Sequence, residues 1–282
     1  MLTFSVFSHK LTWRVCGPVN SCNIGYLMNR YKHSGAFGDL IYSLPIVKAT
    51  GGGEFYLHLN QIDWIGKHYY GSPPNPFHQG RLNIDDFNFM QSFMSVQEYI
   101  TDFDMFTPDK EITHNLDRFR APFVGHPGNY VDIYSACFGI LGREDQAQLR
   151  NTAWLTVPKA KIVEARDVVI NRSARWQPRS LSPQWDQWKA EGMEDRAMFV
   201  GLPEEYTAFR EATGYNIPYY ATNTMLELAE VIAGANLFIG NQSMSLALAF
   251  GLGKEVFCEH RDDLPLERNE CFFGDRPNTT YF

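Results

Sequence analysis

Cysteine is sparse and unpaired in this sequence. Its five residues, Cys16, Cys22, Cys137, Cys258 and Cys271, form no CxxC pair. That argues against a structural zinc site or a disulfide framework and for the reduced thiols of a cytoplasmic protein. Long apolar runs are missing too. The longest candidate, 247–252, is a short helix segment bounded by glycines, well below the length that crosses a bilayer. Basic residues are in the minority: 25 Lys and Arg stand against 32 Asp and Glu, a formal net charge of −7. Proteins that live on duplex DNA draw most of their non-specific affinity from neutralising phosphates. The balance therefore argues against that class, although a local basic strip inside a cleft stays open. Residues 1–27 hold short apolar patches but no charged start, apolar stretch and small-residue cleavage site of a secretion signal. They read as an N-terminal extension, either genuine or the product of an upstream start, with the working domain beginning near Met28.

What is present is core-building material. Hydrophobic residues make up 44% of the 282 and aromatics 15%, enough for one large domain or two modest ones. From residue 30 a short extended stretch runs into Ser34-Gly35-Ala36-Phe37-Gly38-Asp39. Residues 40–48 then read as a helix, with Ile41, Leu44 and Val47 at helical spacing and Pro45 expected to kink or shorten it. Gly51, Gly52 and Gly53 end it, and 54–60 alternates as a strand. This is a βαβ unit whose glycine turn falls at the carboxyl end of a strand, where parallel sheets bind ligands. Residues 71–76 must be a loop, 85–99 reads as partly helical, and 131–141 as a buried helix. The polar stretch 143–151 reads as a linker. Beyond it, strands at 168–170, 197–200, 237–239 and 255–258 alternate with helices, one of them opened by a Thr224-x-x-Glu227 capping box. The pattern predicts an α/β protein of two Rossmann-like domains, 28–150 and 151–282, with parallel sheets facing across a cleft.

Three loops at strand ends are candidates for chemistry. In the first, Ser34, Gly35 and Gly38 let backbone approach a ligand, and Asp39 opens the following helix. Asp39 is either a charge that complements the helix dipole or a carboxylate general base at the cleft floor. In the second, Arg172, Ser173 and Arg175 follow a buried strand. Paired arginines suit a diphosphate, but a solvated loop fits equally well. In the third, Gly240, Asn241, Gln242 and Ser243 hold either phosphate oxygens or an ordinary helix N-cap.

Together these segments resemble the glycosyltransferases of the GT-B fold, and in particular the heptosyltransferase-like family, glycosyltransferase family nine. The first resembling stretch is Ser-Gly-Ala-Phe-Gly-Asp-Leu-Ile-Tyr-Ser-Leu-Pro, 34–45. The second is Leu-Glu-Leu-Ala-Glu-Val-Ile-Ala-Gly-Ala-Asn-Leu-Phe-Ile-Gly-Asn-Gln-Ser, 226–243. The resemblance runs in order from Met28 to about Cys258, with its middle third unmatched. It implies that Asp39 is the acceptor-activating base and that the C-terminal half holds the nucleotide diphosphate through Arg172, Ser173, Arg175 and the Gly240 to Ser243 turn. It implies metal-independent, inverting transfer with no cofactor beyond the nucleotide-sugar donor as co-substrate. Three positions depart from the family: Gln242 replaces an aspartate, Met244 a glycine and Ala247 a histidine, so heptose specificity does not carry over.

On this reading Asp39 takes the acceptor proton, while the arginines and helix amides stabilise the leaving diphosphate. The acceptor is a saccharide or glycolipid hydroxyl. A hydroxymethylated DNA base is the alternative, served by a patch of Lys32, Lys48, Lys67 and Arg81. A further alternative is a non-catalytic nucleotide-sugar-binding protein, with Gln242 and Met244 marking a decayed site. An epimerase is disfavoured because no GxGxxG opens the first βαβ unit.

Overall fold

The computed structural model describes residues 28–61, 82–120, 129–139, 143–163, 166–261 and 276–282. The extension 1–27, the 71–76 loop, Lys67 and Arg81 lie outside the described residues. The N-terminal half begins β1 (Asn29–His33), α1 (Phe37–Ala49), β2 (Gly53–Leu57), α2 (Ile84–Ser95) and β3 (Ile100–Met105). It continues through β4 (His114–Asn115), α3 (Tyr130–Cys137) and α4 (Arg143–Asn151). Its sheet has the order β3-β2-β1-β4, parallel throughout.

The C-terminal half follows with β5 (Val168–Asn171), α5 (Gln184–Ala190), β6 (Ala197–Val200), α6 (Pro203–Thr213) and β7 (Tyr219–Tyr220). It ends with α7 (Met225–Gly234), β8 (Leu237–Gly240), α8 (Met244–Gly251), β9 (Glu255–Cys258) and β10 (Thr279–Tyr281). This second sheet has the order β10-β9-β8-β5-β6-β7, again parallel. Each sheet has a topological switch point. The chain winds outward from β1 to β3 and then places β4 on the other side of β1. It winds outward from β5 to β7 and then places β8 on the other side of β5. In open parallel sheets, ligands bind in the crevice at the carboxyl ends flanking such a point.

Local chemistry accounts for the helices. Residues 40–47 of α1 and 245–251 of α8 are all buried, as expected of helices apolar on every side. These two helices pack on each other, and α2 packs on α7, so one hydrophobic cluster runs through both halves. Pro45 does not end α1, which continues to Ala49 although the ring leaves the Ile41 carbonyl without its helical donor. At α7 the Thr224 hydroxyl accepts from the Glu227 N–H at 3.1 Å, while the Glu227 carboxylate accepts from Asn223 N–H instead of Thr224. The stretch 143–151, expected to be a linker, is the helix α4. Its Arg150 donates to Asp132 of α3 at 2.6 Å. The strand expected over 54–60 ends at Leu57, where Asn60 adopts φ 61° and turns the chain.

Candidate functional site

A cavity of about 830 Å³ opens at the switch point of the larger sheet. Asn171 and Ser173 enter it from the end of β5, Gly201 and Leu202 from β6, Thr222 and Asn223 from β7, and Gln242 and Ser243 from β8. The N-terminal half supplies the facing wall through Phe37 at the start of α1 and Asp85, Asp86, Asn88 and Phe89 on α2. The two phenylalanine rings lie 5.7 Å apart, centroid to centroid.

The loops after β5 and β8 are stitched together. Asn241 is fully buried; its Oδ1 accepts from Ser173 N–H at 2.8 Å, and its Nδ2 donates to the Ser173 carbonyl at 2.8 Å. Ser173 Oγ in turn donates to the Gln242 carbonyl at 3.3 Å. Ser243 caps α8, its hydroxyl accepting from Leu246 N–H at 3.1 Å. The first amides of α8 therefore sit beside Gln242 and Ser243 at the cavity, an arrangement suited to anionic oxygens. Gly240 serves a packing need: a Cβ there would stand 2.2 Å from the Asn171 carbonyl oxygen of the paired strand.

Ser173, Gln242 and Ser243, three of the residues singled out from sequence, line the cavity together. Arg172 does not. It is 5% exposed, and its Nε donates to Glu259 Oε2 at 2.6 Å, while Trp185 Nε1 donates to the other carboxylate oxygen at 2.9 Å. The Arg175 side chain lies outside the described residues. Asp39 is half-buried in the first turn of α1, two residues beyond Phe37, and is not itself in the cavity lining. Ser34 is fully buried, its N–H and hydroxyl both donating to Asp117 Oδ1 at 3.1 and 2.9 Å. That bond spans the switch point of the smaller sheet, since Asp117 follows β4. Gly38 has a negative φ and open space where a Cβ would stand, so close backbone approach is not what requires it. Lys48 is eleven residues along α1 from Phe37, roughly 16 Å at the helical rise. Lys32 is 9% exposed with its ammonium 5.0 Å from the Phe106 ring centroid. Neither lysine lines the cavity, so the basic patch expected there is not assembled by the described residues.

Glu205 is one of the site residues that sequence reasoning passed over. It stands in the first turn of α6 and lines the cavity, where its Oε2 accepts from Leu202 N–H at 3.1 Å. Burial pushes its carboxyl above the usual range, against the hydrogen bonds from Leu202, Asn171 and Ala174 that lower it. Gly201 has φ +129°, and a Cβ there would lie 2.4 Å from Asn171 Nδ2 and 2.8 Å from Glu205 Oε2. The signal was present in the sequence: glycine after a strand, then proline and two glutamates opening a helix. Among the described residues no group of three His, Cys, Asp or Glu side chains is placed to hold a metal ion, and no helix is long and apolar enough to cross a membrane.

No family model matches the sequence, and no curated protein matches it. Solved structures do. A glycosyl transferase of family 9 from Veillonella parvula DSM 2008 superposes with a TM-score of 0.56 at 11% identity, over 90% of this chain and 86% of that one. The E. coli heptosyltransferase WaaC with ADP gives a TM-score of 0.54 at 12% identity, over 89% and 92% of the two chains. The iron-containing dodecameric glycosyltransferase TibC of enterotoxigenic E. coli H10407 gives 0.51 at 12% identity, over 89% of this chain and 61% of that one. The chain has the fold of these proteins: two parallel α/β sheets of the GT-B kind, with a cavity lined from both halves.

Proposed function

We propose that this chain is a glycosyltransferase that moves a sugar from a nucleotide-diphosphate sugar to a hydroxyl acceptor. The observation that carries the reading is the cavity at the larger sheet's switch point, where the amides of α8 meet Ser173, Gln242 and Ser243 and the N-terminal half closes the opposite wall. In this reading the diphosphate lies against the start of α8, flanked by the loop that bears Arg172 and Arg175. Glu205 faces the nucleotide as an acceptor for sugar or ribose hydroxyls. Asp39 takes the proton of the acceptor hydroxyl as its oxygen attacks the anomeric carbon. The bond from that carbon to the diphosphate oxygen breaks, its electron pair leaves with the diphosphate, and configuration inverts. General-base assistance of this kind is worth roughly 10²- to 10⁴-fold. Metal-independent transfer is what the resemblance to family nine implies, and on that reading chelators are expected to leave the rate unchanged.

A saccharide or glycolipid acceptor fits better than DNA. The wall supplied by the N-terminal half, the acceptor side, carries Asp85 and Asp86 and, among the described residues, no lysine or arginine to neutralise a DNA backbone, whereas the donor diphosphate lies across the cavity at the α8 amides.

The test is a panel of nucleoside diphosphates and their sugars, ADP and ADP-sugars among them, read by thermal unfolding, where a ligand that binds the native state raises the midpoint. The donor that stabilises most is then assayed with candidate acceptors. Asp39→Asn is expected to lower turnover by about 10²-fold or more and to leave nucleotide affinity within about twofold of wild type. Near-normal turnover by that variant removes Asp39 from the mechanism, and stabilisation by no nucleotide overturns the transferase reading itself.

A further inference from the structure

We propose that His33 and Tyr134 are positioning residues for Asp39, joined to it by a directed hydrogen-bond chain at the switch point of the smaller sheet. The proposal rests on the transferase reading above for its kinetic consequence, but the chain itself stands on geometry. Gly35 N–H donates to His33 Nδ1 at 2.8 Å, His33 Nε2 lies 2.8 Å from the Tyr134 hydroxyl oxygen, and that hydroxyl lies 2.9 Å from the Asp39 backbone carbonyl. Both His33 and Tyr134 are fully buried.

The direction of each bond follows from the chemistry of the groups. An amide N–H can only donate, so Nδ1 of His33 must be the lone-pair nitrogen. A neutral ring then carries its proton on Nε2, and Nε2 must donate to Tyr134. The Tyr134 hydroxyl has one proton, which is left for the Asp39 carbonyl, a group that can only accept. Every donor and acceptor in the series is matched in one sense, and reversing any link breaks its neighbour. The competing state is an imidazolium with Nδ1–H turned toward Asp117, whose Oδ1 is 3.9 Å away and already accepts from Ser34. The chain connects the end of β1 to the first turn of α1 through α3, three elements whose relative placement decides where the Asp39 carboxylate points. A general base misplaced by about 1 Å can lose on the order of 10²-fold in rate.

Two measurements on the full chain test this. Long-range ¹H–¹⁵N spectra, with the His33 signals identified by their loss in H33Q, are expected to show a neutral ring protonated on Nε2 near neutral pH. An imidazolium or an Nδ1–H ring overturns the chain. Kinetics then use release of nucleoside diphosphate from an ADP- or UDP-sugar with water as acceptor. Tyr134→Phe removes only the hydroxyl and keeps the ring, whose centroid is 4.5 Å from that of Phe119. It is expected to lower kcat by about tenfold to a hundredfold with KM for the donor unchanged. On the residual rate of Asp39→Asn the same substitution is expected to have no further effect, because residues acting through one another are not additive. His33→Gln keeps a donor at the Nε2 position and retains more rate than His33→Asn, which keeps only the acceptor for Gly35. An unchanged kcat in Tyr134→Phe, or an equal loss in the Asp39→Asn background, overturns the positioning role. If wild-type protein releases no nucleoside diphosphate with water or with any candidate acceptor, and no nucleotide stabilises it, the transferase reading falls and the tautomer of His33 still decides the chain.

Discussion

Glu205 is held where a ligand would meet it, in the first turn of α6, by the Leu202 N–H and by the absence of a side chain at Gly201. Its carboxyl is pushed up chiefly by burial. A carboxyl whose folded value is raised binds its proton more readily in the native state than in the unfolded chain. The stabilisation from that proton is complete below the ordinary glutamate range and is lost as pH rises through the raised value. Glu205→Gln is neutral at every pH and has no such dependence. Unfolding midpoints of the two proteins between about pH 4 and pH 7 are therefore expected to diverge, with wild type losing ground to the variant as pH increases. Parallel curves would mean that the carboxyl titrates alike in both states and would remove the burial argument. The same substitution is expected to weaken nucleotide binding in the proposed site, because the amide offers ligand hydroxyls one acceptor oxygen where the carboxyl group offers two.

The elements divide by how locally they are determined. Strands β6 and β9 and helix α6 fall where the pattern predicts them, because their cues are internal. β6 is a continuous apolar run, and α6 has Pro203 at its start and Gly214 in the left-handed conformation at its end. Strand β3 escaped because its burial does not alternate cleanly, and β4 and β7 because two residues carry no period. The site was legible to the same degree. Ser173, Gln242 and Ser243 lie in loops adjacent to strand ends, whereas Asp85, Asp86 and Phe89 reach the cavity only because α2 packs on α7, a tertiary fact that no local pattern contains. Helix α4 is the clearest miss. It has almost no apolar stripe, and its Arg150 pairs at 2.6 Å with Asp132, a carboxylate only 5% exposed and raised by burial despite that partner. Removing the arginine leaves a buried carboxylate with one backbone hydrogen bond, from Asn129, and its buried oxygen Oδ1 has no partner among the described residues. Arg150→Ala is expected to destabilise the protein by about 1.5–3 kcal/mol, measured by denaturant unfolding at neutral pH. A change below about 0.5 kcal/mol, the usual scatter of surface substitutions, would return α4 to the status of a connector.

At the scale of the whole molecule, the two sheets share one of their two hydrophobic clusters. Leu40 and Ile41 of α1 share a cluster with Leu246 and Ala247 of α8, and Met90 and Met94 of α2 share it with Leu228 and Val231 of α7. The chain also ties itself across this junction: the N–H groups of Trp154 and Leu155 both donate to the Gly251 carbonyl, at 2.9 and 3.0 Å. Arg276 lies over the Trp154 and Phe250 rings, 4.9 and 4.5 Å from their centroids, and burial pulls its guanidinium down to about 10. A second cluster, built on Trp185 and Phe209, occupies the far face of the larger sheet and contains nothing from the N-terminal half. Opening either half alone would expose the shared faces of α1 and α8 to water, at about 25 cal/mol per Å² of apolar surface. Independent unfolding of one half is therefore close in cost to unfolding both, and the halves are expected to open as one cooperative unit. Native-state hydrogen exchange tests this directly. The amides of Phe55 in β2 and Ile239 in β8 lie in different sheets, and their opening free energies are expected to agree within about 1 kcal/mol. A β2 that exchanges through a much cheaper opening would show that the shared cluster does not couple the sheets, and the wall formed by Phe37 and Phe89 would then belong to a half free to move relative to the proposed nucleotide site.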